Sequence, residues 1–582
     1  MNTNCKPAFY SFLAAALLGP LASALHAWQP NASDLDAAVK AGDFKGYLAS
    51  ATAWLNQKTP TTPDAAAMAK LLQDPLVLLA LDQRQLIAKT GADQLAAFAK
   101  ADPANQTFLS YLLKNTPAME LYLEGTVPIG LAAREDNKYT LSVAALGIWQ
   151  KILAADPDAK NGIYQKLAIA TAISPPGSVN IGAGGAKTPA EPVTRYKYYK
   201  TAHKNKELFP SFDHLTVWEY TKIVYSGASD SDLTWAREMV NTFQPNLRVD
   251  EMVVNSTSFV WRRNSPIPFD GTFRNVLAGG GKCGPRSSWS VMVCHAFGIP
   301  AIGVGQPAHA CVAYKAANPM TEPQPGCAWK VGFGRGWPFS KLEGLQGPDF
   351  LAGVQERSRT TDFSKVEHLR WFASALTSAA IASAIMETAH QIQKSAPVAT
   401  TDLTASLKPD EAEADPGVKA GAKPPVAKKP ETSNTTAGAP IKAVAGVMHV
   451  EAAAFDKTGG EISWGGQFPN VLVHDCFTGG KQVYFQQQMK SQWADYTLDV
   501  PTAGIYQISM KAAVVNEDQV LEICSGANVI ATVPIPLSYG LWETTQPVEM
   551  KLDKGVQTLR VQTPTTDLKR GIALRSFDIK PK

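Results

Sequence analysis

The sequence predicts a multidomain α+β protein, with a helical N-terminal region, a mixed helix and strand centre and a C-terminal antiparallel β-sandwich. Three observations carry this. At 582 residues the chain is too long for one hydrophobic core. Apolar residues recur at three-and-four spacing early in the chain and at two-residue spacing near its end, the periods of helix and strand. A tract with no aromatic residue, 391–443, lies between these regions.

Residues 1–27 have the order of a secretory signal peptide. Lys6 precedes an apolar run from Phe9 to Leu25, and small residues follow at Ala22-Ser23-Ala24 and Ala27. Gly19-Pro20 interrupts the run, which is shorter than the roughly 20 residues of a membrane span. The expectation is a secreted or periplasmic protein with no transmembrane anchor, its mature chain beginning near Ala27 or Trp28. Cys5 precedes the apolar run and is not placed for lipid attachment. A net charge of +4 with 18% charged residues provides no field for nucleic acid, so no nucleic-acid partner is expected.

Residues 28–174 read as a helical domain broken at Asp74-Pro75, Asp102-Pro103 and Asp156-Pro157. Leu76, Leu79, Ala80, Gln83, Leu86 and Ile87 have amphipathic spacing and are read as core. Residues 175–250 are a Gly/Pro-rich loop and helical scaffold. Their GAGG run lacks the Lys-Ser/Thr of a phosphate loop, and the aromatic and basic residues Arg195, Tyr196, Tyr198, Tyr199, Phe212, Trp218 and Trp235 are read as packing. The 391–443 tract has too little apolar surface to fold and is read as a disordered tether. From 444 to 582, Tyr496, Leu498 and Val500 alternate before the turn Pro501 to Gly504, and Tyr506, Ile508 and Met510 resume the pattern. Strands with turns at this interval point to an antiparallel sandwich.

Residues 251–390 carry the chemistry. Cys283 stands where a glycine run, Gly279-Gly280-Gly281, opens into a predicted helix with Pro285 in its first turn. A thiol there experiences the positive end of the helix dipole, which favours thiolate. Gly298 and Pro300 end the helix. Ala301 to Gly305 and His309 to Lys315 read as strands joined by a Gln306-Pro307-Ala308 bend, with His309, Cys311 and Ala313 on one face. An imidazole so placed can accept the proton of a thiol opposite it. Cys283 and His309 are the candidate catalytic residues. Gln306, Arg286 and Trp329 are weaker candidates for oxyanion or supporting roles, and the Cys283 backbone N–H is the better oxyanion donor. His295 is read as structural. Of the cysteines beyond the signal segment, Cys311 with Cys327 and Cys476 with Cys524 are the disulfide pairings to test.

The run from Cys283-Gly284 through Ala296-Phe297-Gly298-Ile299-Pro300 to His309-Ala310 resembles the transglutaminase-like superfamily. That resemblance implies a papain-like core with a Cys nucleophile at a helix head and a His on the following strand. The segment is also similar to large exported proteins of planctomycete-type bacteria. The resemblance covers only about Thr272 to Trp337. It implies an Asp on the next strand to orient the histidine, but Cys327 to Gly334 contains no carboxylate. Asp349 is the candidate in its place, with Asn318, Glu322 and Asp270 also in reach; a backbone carbonyl can serve instead.

The stretch from Val450-Glu451-Ala452-Ala453 through Asp499-Val500-Pro501 to Phe577-Asp578 resembles galactose-binding-like carbohydrate-binding modules. This implies a polysaccharide partner, with Trp464, Tyr539 and Trp542 as stacking residues, and a structural calcium held by Glu451 and Asp578. Ala453 and Ala573 replace a usual second Glu and a ligand-binding Asn. No cofactor is required for the expected chemistry. Two functions stand as expectations: a cysteine hydrolase or acyltransferase acting on a peptide or protein amide, or an inactive cell-envelope protein that binds polysaccharide or a protein partner.

Overall fold

A computed structural model describes residues 28–135, 138–178, 188–249, 253–260, 271–315, 329–395, 439–460, 471–486, 491–564 and 571–582. Residues 1–27, where the signal peptide is expected, Cys327 and Trp464 lie outside them. The chain forms two compact units. One unit takes residues up to Glu124 together with Glu135–Ala144 and Thr361–Ala396; the other takes Gly125–Arg134, Ala145–Thr360 and Pro397–Lys582.

The first unit is helical. Each Asp-Pro dipeptide starts a helical segment as well as ending the one before: Asp74 caps Pro75–Thr90 by accepting from the Leu76 N–H, and Asp102 caps Pro103–Leu113 by accepting from that of Ala104. Proline is suited to the first turn, where its missing N–H has no helical partner. The Pro75–Thr90 helix buries Val77, Ala80, Leu81, Leu86 and Ile87, whereas Leu76 is 40% exposed and Leu79 only half-buried. Of the expected core positions Ala80, Gln83, Leu86 and Ile87 are buried, and Leu76 and Leu79 are not. PLVLLAL is apolar nearly all round, so its periodicity does not choose a face. Gln83 is buried but satisfied, accepting from the Tyr47 hydroxyl at 2.8 Å and donating to the Leu113 carbonyl at 2.7 Å.

The boundaries expected at 174 and 390 differ from those observed. The Gly162–Ile173 helix belongs to the second unit, while Ala379–Ser395 and nearly all of Thr360–Ala375 belong to the first. Asn56 ties that C-terminal pair down, donating to the Ala375 carbonyl at 2.8 Å and accepting from the Thr377 N–H at 2.9 Å. The 391–443 tract expected as a tether is structured at both ends: residues 391–395 are helical, and Ile441–Lys442 pairs in parallel with Gln492–Val500.

In the second unit a five-stranded sheet carries the central segment. Its strands are β1 (Ala301–Gln306), β2 (His309–Lys315), β3 (Trp329–Gly332), β4 (Lys341–Leu342) and β5 (Leu345–Gln346), in the order β3-β2-β1-β4-β5. The β1/β2 register runs from Ala301 opposite Tyr314 to Gln306 opposite His309. The Cys283–Ala296 helix packs on β1 and β2. Its C-terminal end is held by Arg237, which donates to the Ala296 carbonyl at 2.9 Å, and by Tyr199, which donates to the His295 carbonyl at 3.0 Å. A cation and a hydroxyl at that end satisfy carbonyls that lack helical donors. His295 is fully buried against the Ala301 carbonyl at 3.0 Å, and burial holds its pKa down to about 4. It is a neutral structural residue.

The C-terminal region is a two-sheet, almost wholly antiparallel β-sandwich. One sheet has the path Glu543–Thr544, Gly504–Ala513, Ile572–Pro581, Lys481–Phe485, Val471–Asp475, and the other Asn528–Ile535, Gln519–Ser525, Gly555–Gln562, Gln492–Val500, Ile441–Lys442. The alternation read from the sequence faces the core between them: Tyr496, Leu498, Tyr506, Ile508 and Met510 are at most 1% exposed. The sandwich contacts the rest of its unit. Trp235 donates to the Tyr539 carbonyl at 3.1 Å, Gln482 to the Thr242 carbonyl at 2.8 Å and Asn516 to the Ala278 carbonyl at 3.2 Å. Among the described residues no helix is long and apolar enough to cross a membrane.

Candidate active site

Cys283 is the first residue of its helix and is half-buried; its N-cap, Lys282, makes no side-chain cap hydrogen bond. The helix start is thus not closed off by its own capping residue, and first-turn N–H groups have no helical acceptor. One turn on, the Ser287 hydroxyl donates to the Cys311 carbonyl at 2.6 Å. This seats the head of the helix on the strand that begins at His309. Burial pushes Cys311 up to about 12, and the nearby Cys283 adds to the shift.

His309 is buried. Its Nε2 lies 2.9 Å from the carbonyl oxygen of Phe333. A carbonyl only accepts, so Nε2 carries the hydrogen and Nδ1 keeps its lone pair. Nδ1 is buried and has no hydrogen-bond partner among the described residues. The orienting group is therefore a backbone carbonyl. This corrects the expectation placed on Asp349, which is exposed in the first turn of the Gly347–Ser358 helix. Asn318 and Glu322, like Asp270, lie outside the described residues.

Two strained residues fix this geometry. Ala308, in the turn before His309, has φ 55°, and Phe333, which presents the carbonyl, has φ 41°. A side chain with a Cβ adopts left-handed backbone at a cost of about 1 kcal/mol or more. Both outliers lie in sequence or in contact beside the same imidazole, where the surrounding structure holds them.

The remaining candidates separate into distinct roles. Gln306 accepts from the Arg335 N–H at 2.9 Å and donates to the Ser340 hydroxyl at 3.0 Å and the Gly336 carbonyl at 3.2 Å. Its amide braces the 333–340 loop, the supporting one of the two roles weighed for it. Arg286 is buried with its guanidinium 5.6 Å from the Phe333 ring centre, so it supports the residue that orients His309. Trp329 is a core residue, its ring 5.7 Å from those of Trp218 and Phe350.

Phe333 and Arg335 were not singled out in the sequence. Arg335 is buried, donates to the Pro307 carbonyl at 2.7 Å, and its charge partly opposes the rise in Cys311. The available signal was the GFGRG run, whose glycines admit close approach. Gly334 is such a point: an added Cβ would fall 2.6 Å from the Cys311 sulfur and 2.8 Å from Val331 Cγ1. Gly334→Ala is expected to lower stability by about 1–3 kcal/mol through overpacking and to slow chemistry at Cys283, read by urea unfolding and thiol labelling. Unchanged stability and labelling would mean the loop relaxes freely.

Cys476 and Cys524 do not pair, and the pairing expected of Cys311 rests on Cys327, outside the described residues. Cys311, Cys476 and Cys524 are buried free thiols. Cys476 contacts Gln482 and Arg575, and Cys524 lies on the opposite sheet. Membership of one domain brought the pair no closer than opposite layers.

In the sandwich, Glu451 and Asp578 do not fit a calcium site. Asp578 lies 2.6 Å from His449 Nδ1 and Glu451 3.3 Å from its Nε2, and hydrogen bonding to Asp578 raises the imidazole pKa. The His449 ring, a nitrogen donor, lies between the two carboxylates, whereas a hard cation prefers an all-oxygen shell. Trp542 and Tyr539 both turn towards the helical part of their unit. Trp542 lines a cavity of about 290 Å³ with Phe477, Glu207, Arg237 and Asn241, and Tyr539 meets Trp235 through its carbonyl.

No family model matches the sequence, and no curated protein matches it. Solved structures similar to part of the chain include the C-terminal family 6 carbohydrate-binding module of a laminarinase from Zobellia galactanivorans, at 16% identity over 23% of this chain and 98% of that one, TM-score 0.19. A family 6 module of a Cellvibrio mixtus lichenase, in complex with cellotriose, is similar at 20% identity over 23% and 96%, TM-score 0.19. A family 35 module from Clostridium thermocellum is similar at 11% identity over 23% and 98%, TM-score 0.19.

Proposed function

We propose that this chain is an exported thiol enzyme of transglutaminase-like type that cleaves or transfers the acyl group of an amide or peptide bond. The observation that supports this reading is the His309 ring, oriented by the Phe333 carbonyl with its lone-pair nitrogen bare, on the strand that carries the half-buried Cys283 helix head. In this reading Nδ1 takes the proton of the Cys283 thiol as sulfur attacks the carbonyl carbon. First-turn N–H groups of the helix stabilise the oxyanion. The amine leaves with the proton from His309, and a thioester remains. Water, deprotonated by the same nitrogen, releases the acid; an amine in its place gives transamidation. Hydrolysis is preferred, since water is always at hand. No metal or cofactor enters these steps.

The test is turnover of a peptide and amide library by the full chain, with products and acyl-enzyme read by mass spectrometry. Cys283→Ser is expected to reduce turnover by at least roughly a thousandfold and to abolish the adduct at residue 283. Turnover indifferent to the substitution would place the chemistry away from Cys283, and no turnover or adduct from any acyl donor would instead favour a binding protein acting through its sandwich on polysaccharide or a protein partner.

A further inference from the structure

In the first unit three helices, Pro75–Thr90, Thr116–Thr126 and Thr360–Ala375, bring Asp82, Glu120 and His368 together far apart in sequence. His368 Nε2 lies 3.4 Å from an Asp82 oxygen and 3.9 Å from a Glu120 oxygen, and one ligand atom from each residue lies within 4.8 Å of the others. These separations exceed a normal hydrogen bond. They suit atoms around a common centre, since two ligands about 2.1 Å from a metal at a tetrahedral angle are about 3.4 Å apart.

The second observation concerns Asp82 alone. It is 0% exposed, and neither carboxyl oxygen has a hydrogen-bond partner among the described residues. Buried carboxyls ordinarily have several donors. Asp82 and Glu124 both act on Glu120, so three carboxyls stand around one imidazole, that of His368.

We propose that Asp82, Glu120 and His368 bind one divalent transition-metal ion. One imidazole nitrogen with two carboxylate oxygens suits manganese, iron, cobalt or zinc rather than calcium or magnesium, which favour oxygen alone. Glu120, with its side chain 32% exposed, lies on the route by which the ion enters. Three protein ligands leave positions for water or a small anion. The site is independent of Cys283 and of the enzymatic reading.

The full chain, stripped with chelator, is titrated separately with zinc, manganese and cobalt by calorimetry, with elemental analysis after gel filtration and the visible spectrum of the cobalt form. One ion per chain is expected, with a rise in melting temperature that chelator reverses. Glu120→Gln, at a partly exposed position that does not threaten folding, is expected to weaken binding by roughly tenfold to a hundredfold; His368→Gln should abolish it, and Cys283→Ser should leave it unchanged. Absence of stoichiometric binding with all three metals would overturn the proposal. So would equal affinity in Glu120→Gln, or loss of the ion in Cys283→Ser, since either places the ion elsewhere.

Discussion

Iodoacetamide at neutral pH should alkylate Cys283 at least about tenfold faster than any other cysteine of the described residues, as read by peptide mapping over a time course. The basis is both access and protonation. Cys283 is half-buried at a helix head, while Cys294, Cys311, Cys476 and Cys524 are buried. Burial raises the thiol pKa of each of those four, least offset for Cys294 and Cys311, where thiolate is scarce at any physiological pH. His309→Ala should slow labelling of Cys283 by roughly tenfold or more, because it removes the imidazole whose Nδ1 takes the proton, without exposing the other thiols. Labelling that is slow in the parent and identical in the variant would sink the thiol–imidazole pair. Fast labelling that is unaffected by His309→Ala would leave the helix dipole as the sole activating influence.

The largest effect on stability is expected at Arg195. Its side chain is fully buried on the Pro192–Lys204 helix. Nε donates to Asp230 at 2.6 Å, Nη1 to the carbonyls of Val224 and Ser226 at 3.2 and 3.1 Å, and Nη2 to that of Ala228 at 2.6 Å. One planar guanidinium thus shapes the loop entering the Asp230–Phe243 helix, on which the sandwich rests through Trp235. Arg195→Leu strands a carboxylate and three carbonyls together, and should destabilise this unit by about 3–5 kcal/mol, measured as a shift of its urea transition. Arg195→Lys should recover little, since one ammonium cannot reproduce a fork of donors. A loss below about 1 kcal/mol in the leucine variant would show that the loop has other support.

How much was legible follows from what each signal encodes. The sandwich was readable because strand period and turn residues are local, and Tyr496 through Met510 turn inward as their alternation requires. The Cys283 helix and the β1/β2 hairpin were readable from their glycine and proline punctuation. The group that orients His309 was not, because any residue has a carbonyl and only its backbone angles decide where that oxygen points. The sequence offers Asp349 or an unspecified backbone carbonyl, and only the fold selects that of Phe333. Leu76 failed for a related reason: an almost wholly apolar helix encodes burial but no direction.

Local chemistry by itself determined the order of elements, the thiol at a helix head, the histidine at a strand start and the inward face of the C-terminal strands. Each depends on neighbours within a few residues, which the chain order specifies directly. Tertiary structure alone decided that a strained carbonyl holds His309, that Glu451 and Asp578 enclose an imidazole, and that Asp82, Glu120 and His368 meet. Those contacts join segments as much as 286 residues apart in number, and packing, which depends on the shapes of both partners, sets which segments face one another.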